Sequence, residues 1–156
     1  SDIDENKTQL TYFKIINGKP QRVPGLNETQ IVRVDLFQQP VNKIEIYYPY
    51  IYPNESVIRF WIGSGTDSPV VFEASFIHQV VDTTLSSDYP ILTSQAAFQA
   101  LRDGRAYVFN PEKKSEIEVV DISLGYYIGE TPQKYLIPIV VFKGKNFKAY
   151  VSAVKQ

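Results

Sequence analysis

The chain has 156 residues, 44% of them hydrophobic, and 16 Lys and Arg against 17 Asp and Glu. That length fits one domain or two small modules, and the apolar content is enough for a folded core. A net charge of −1 lacks the clustered cations that release counterions from a phosphate backbone, which argues against nucleic acid as a partner. Cysteine is absent, which excludes disulfides, thiolate metal sites and cysteine nucleophiles.

The polar start, residues 1–8, reads as a disordered leader. It has no Met, so the chain is expected to begin after a cleavage or to be an excised piece, with any signal peptide or anchor upstream. No apolar run approaches the roughly 20 residues of a spanning helix.

The dominant period is two. Gln9 to Ile16 predicts a strand that turns at Asn17-Gly18, residues tolerant of positive φ, into a return arm from Lys19 to Val23. Gln30 to Phe37 predicts another, with Val32, Val34 and Leu36 facing the core and Arg33 and Asp35 facing away. Further strands are expected over Lys43 to Tyr48, Val57 to Ile62 and Val70 to Val81. The stretch Gly63 to Pro69 forms the hairpin loop between the last two.

One segment has helical grammar. Thr93 or Ser94 can cap a helix over about residues 94–103, Ala97, Phe98 and Leu101 form its stripe, and Gly104 sits where a left-handed end belongs. Strands follow at Ala106 to Phe109, Ile117 to Ile128, Tyr135 to Phe142 and Phe147 to Val154. The third is apolar on both faces and reads as central, although Pro138 within it requires a bulge or a position with no ladder N–H. Tight hairpins without alternating long helices predict an α+β fold of antiparallel β-meander sheets, the short helix lying on the C-terminal sheet. The turn-prone stretch Asp82 to Ile91 divides an N-terminal β module, 9–88, from a C-terminal helix-plus-meander module, 89–156, or else joins the two as one continuous domain.

The second half carries Tyr89-Pro90-Ile91-Leu92-Thr93-Ser94, a short helix ending Ala100-Leu101-Arg102-Asp103-Gly104, and then Tyr135-Leu136-Ile137-Pro138-Ile139-Val140-Val141-Phe142. It closes on Phe147-Lys148-Ala149-Tyr150-Val151-Ser152-Ala153-Val154. Over roughly residues 30–154 this pattern resembles the extracytoplasmic modules of membrane-anchored bacterial proteins of the YycH/YycI and PepSY-like kind. The resemblance implies a helix packed across an antiparallel meander, a regulatory or protein-interaction role, and no catalytic residues to carry over.

The chemistry-bearing residues are sparse. His78 is the only histidine; with no G-x-S-x-G elbow it reads as a strand histidine at a sheet margin. Gly63 to Ser68 has neither the Lys-Ser/Thr of a phosphate loop nor the spaced oxygens of a calcium loop, and reads as a hairpin loop. Asp35, Glu45, Glu73, Glu118 and Asp121 lie on predicted strands and read as solvent-facing; two of them sharing a cleft would permit hydrolysis. The sequons at Asn6, Asn27 and Asn54 read as coincidental.

Eleven tyrosines are many for this length. Tyr47, Tyr48, Tyr50 and Tyr52 gather around Pro49 and Pro53 as a candidate interaction surface for peptide or glycan, or else as a lid on the core edge. The expectation is a non-catalytic extracytoplasmic interaction or regulatory module. It should work through a protein partner without metal or cofactor, and touch the membrane only through an anchor outside this chain. A glycan- or cell-wall-binding module is the first alternative, and a hydrolase with carboxylates assembled across strands is the second.

Overall fold

The computed structural model describes residues 2–49 and 56–155. The fold is α+β. Ten strands form two sheets and the α-helix packs on the C-terminal one. The chain divides into two compact units, one of Ser1–Gln39 with Asn54–His78 and the other of Pro40–Pro53 with Gln79–Gln156.

The first unit holds β1 (Gln9–Ile16), β2 (Lys19–Val23), β3 (Ile31–Leu36), β5 (Ile58–Ser64) and β6 (Pro69–Phe76); β4 (Ile46–Tyr47) belongs to the second unit. The sheet order is β2-β1-β3-β5-β6, every pairing antiparallel. The β1–β2 turn forms because Asn17 and Gly18 both take positive φ, 52° and 73°, as the tight primed hairpin turn requires. The β5–β6 hairpin closes where Gly65 N–H donates to the Ser68 carbonyl at 3.1 Å. A Cβ on Gly65 would meet that carbonyl oxygen at 2.4 Å, so only glycine fits there.

The second unit holds β4, α1 (Ser94–Arg102), β7 (Tyr107–Phe109), β8 (Val119–Tyr127), β9 (Ile137–Gly144) and β10 (Phe147–Ser152). Its sheet runs β4-β8-β9-β10-β7, with only the β4–β8 pair parallel. As its apolar faces suggest, β9 is central, and Val141 and Phe142 on it are fully buried. Pro138 lies one residue inside β9, where its carbonyl accepts from Ala153 N–H.

The helix begins where the Thr93 hydroxyl accepts from Ala96 N–H, and Gly104 ends it with φ 75°. Its buried residues are Ala97 and Ala100, small enough to sit close on Val140, Phe142, Ala149 and Val151. Nine residues make a marginal helix alone, so this contact stabilises it. Thr93→Ala is expected to cost about 1 kcal/mol in urea denaturation by removing the cap; a change near zero would mean water replaces it without loss.

Five expectations are corrected. The predicted leader is structured over its described residues: Asp4 N–H donates to the Phe37 carbonyl, Gln39 N–H donates to the Asp2 carbonyl, and Glu5–Lys7 is a 3₁₀ turn capped by Asp4. The module boundary near residue 88 gives way to a discontinuous division, because β4 pairs with β8 and residues 40–49 follow it. The strand expected over 43–48 shrinks to Ile46–Tyr47, because Asn42 and Lys43 take positive φ in a tight turn between Val41 and Ile44. The strand expected to Val81 ends at Phe76.

The last correction concerns which face is covered. Arg33 and Asp35 are 6% and 0% exposed, whereas Val32, Val34 and Leu36 on the other face stay half-buried.

Candidate functional site

The covered face of the first sheet is polar. Asp35 accepts from Arg33 Nε at 2.7 Å, from Arg59 Nε at 2.7 Å and from the Ser56 hydroxyl at 2.8 Å. The Arg33 guanidinium also donates to the Thr11 hydroxyl and stands 5.7 Å and 5.6 Å from the ring centres of Phe13 and Trp61. Burial works against the Asp35 charge, but hydrogen bonds from Arg59 and Ser56 and the charges of both arginines outweigh it and hold the carboxyl below its usual range. A general acid needs the reverse, a carboxyl kept protonated. The Asp35 carboxylate is engaged by Arg33, Arg59 and Ser56.

Its opposite face is apolar and open. Strand register sets three cross-strand rows there: Leu10, Val34, Phe60 and Ala74; Tyr12, Val32, Ile62 and Val71; Leu36, Ile58 and Phe76. None of these eleven side chains is buried, and Leu10, Val71 and Phe76 at the margins are 50%, 51% and 67% exposed. A sheet ordinarily covers such a face with another layer. Here the margins of the face, at Leu10, Val71 and Phe76, stay open to solvent.

In the second unit a tyrosine cluster occupies the sheet face away from α1. The Tyr47 ring lies on Gly125, where a Cβ would come within 2.6 Å of it, and against Ile139, Val141 and Tyr150. The Tyr150 ring centre lies 5.5 Å from that of Tyr47, 6.2 Å from that of Tyr127 and 5.9 Å from that of Tyr107, stacked on it at 21°. The ammoniums of Lys143 and Lys148 stand 5.4 Å and 5.7 Å from the Tyr47 ring centre.

Of the four tyrosines singled out as a surface, Tyr47 and Tyr48 are 3% and 1% exposed and so give no contact area. They serve as core rings because glycine at position 125 leaves room for one of them. Tyr50 and Tyr52 lie outside the described residues. Tyr107, Tyr127 and Tyr150 join the cluster from strands far along the chain; their positions on period-two faces were the only signal.

His78 Nε2 lies 2.7 Å from an Asp2 carboxylate oxygen that also accepts from Gln38, and its ring meets Phe76 edge-on. It ties the start of the chain to the end of β6. Among the carboxylates proposed for hydrolysis, Asp35 is spent on its arginines, Asp121 lies 3.9 Å from Lys143, and Glu73 sits opposite Trp61 on the exposed edge strand. Glu45 and Glu118 belong to the second unit with Asp121. No group of metal-ligating side chains occurs among the described residues, and no helix among them is long and apolar enough to cross a membrane.

A scan against protein-family models, a search of curated proteins and a search of solved structures each returned no match.

Proposed function

We propose that this chain is a non-catalytic protein-interaction module whose contact surface is the apolar face of the first sheet. The observation that carries the reading is the set of three uncovered cross-strand rows, apolar at every position. Burying them on a partner gains roughly 25 cal/mol for each Å² of apolar surface removed from water. The surface is built on paired strands, so binding need not order a loop. The resemblance to modules that regulate through protein contacts points the same way. That resemblance, with the absence of cysteine, is the ground for placing the chain outside the cytoplasm.

The test is a photo-crosslinking amino acid placed at Leu10 or Phe76 in the producing cell, with Lys155 as the control position. A protein adduct at the first two sites and not at the third is the expected outcome. Adding Val71→Asp on the exposed margin should remove the adduct while leaving the melting temperature unchanged. Absence of any adduct at Leu10 and Phe76, or adducts insensitive to Val71→Asp, would count against the surface.

A further inference from the structure

We propose a second binding site, on the tyrosine face of the second sheet, for an acidic polysaccharide whose sugar rings carry carboxylates. Lys148 on β10 pairs directly with Lys143 on β9, so two like charges face each other across the ladder. Such a pair is unfavourable by itself. Here both ammoniums are gathered on the Tyr47 ring, with Asp121 3.9 Å from Lys143. A ligand carboxylate would meet two cations at once.

One cross-strand row along, Tyr150 pairs with Tyr107. Tyr107 is 54% exposed, with one ring face stacked on Tyr150 and its hydroxyl donating to the Pro49 carbonyl at 3.1 Å. The ring is thereby held in place while more than half exposed, as a platform for the C–H face of a pyranose. Two residues along a strand separate the rows by about 7 Å, which suits one sugar ring with its carboxylate reaching the lysines. A nucleic acid could use the same groups through base stacking and phosphate, but the net charge of −1 on the whole chain opposes a polyanion held mainly by charge.

The experiment is affinity electrophoresis of the whole chain in gels containing polygalacturonate, neutral dextran, poly-L-glutamate or single-stranded DNA. Retardation by polygalacturonate alone is expected. It should weaken about tenfold in Tyr107→Leu and in Lys148→Gln and persist in Tyr107→Phe, with melting temperatures matched to the parent. Equal retardation by poly-L-glutamate or DNA would reduce the site to plain charge and overturn the proposal. So would no retardation by polygalacturonate, or retardation that Tyr107→Leu leaves intact. The apolar face of the first sheet plays no part in this assay, so its failure and that of the protein-interaction reading are separate results.

Discussion

Asp35→Ala is expected to destabilise the first unit by about 3–5 kcal/mol, because it leaves the Arg33 guanidinium buried without its carboxylate. Trp61, the only tryptophan, lies with its ring centre 5.1 Å from that of Phe13 and beside Arg33, so its fluorescence reports this unit's unfolding in urea. A loss under about 1 kcal/mol would contradict the reading, since an exposed ion pair gives no more. Replacing the whole set, Arg33→Met with Asp35→Leu and Arg59→Met, should recover most of the loss, because an apolar set of similar volume avoids the cost of dehydrating three charges. Asp35 also sets an acid limit. Its carboxyl titrates below the ordinary value in the folded chain, so its contribution is complete above about pH 4 and is lost as pH falls through the lowered folded value. In Asp35→Asn that acid-side decline should be shallower.

Tyr47→Ala is expected to cost about 3–5 kcal/mol, because it removes a buried ring from the centre of the tyrosine cluster. Gly125→Ala attacks the same contact from the other side. The new Cβ would come within 2.6 Å of the Tyr47 ring and 3.1 Å of Val141, at a cost of about 1–3 kcal/mol. The two are not independent: with the ring already absent, Gly125→Ala should be far milder. Urea denaturation followed by the near-ultraviolet dichroism of the tyrosines measures the cycle. Additive effects would show that the ring does not rest on the glycine.

The sequence carried local information well. The strand of Gln9–Ile16, its Asn17-Gly18 turn, the Thr93-capped helix and central β9 all follow from neighbours within a few residues. Alternation also sorted side chains correctly into faces: Val32, Val34 and Leu36 share one and Arg33 and Asp35 the other. What alternation does not contain is which face is covered. The usual rule puts charge outside, and here it fails because Arg33, Asp35, Arg59 and Ser56 satisfy one another and are buried as a set. The β8 row repeats the lesson: Val120 and Ile122 are exposed although apolar, while Gly125 on the other face is buried under Tyr47. The parallel β4–β8 pair was out of reach for another reason. It spans two residues on each side, and its partners are far apart in sequence.

That residues 40–49 belong to the second unit although they lie between strands of the first has a consequence for biosynthesis. Translation delivers Tyr47 long before the Gly125, Val141 and Tyr150 that enclose it. At ~5–20 residues per second, the stretch from Tyr47 to Tyr150 occupies the ribosome for about 5–20 s. β1, β2 and β3 precede Tyr47 and β5 and β6 are made early in that wait, so the first sheet can close while Tyr47 still lacks its neighbours. Maturation is therefore stepwise, and the nascent chain is most prone to sticking during the interval before the final hairpin emerges.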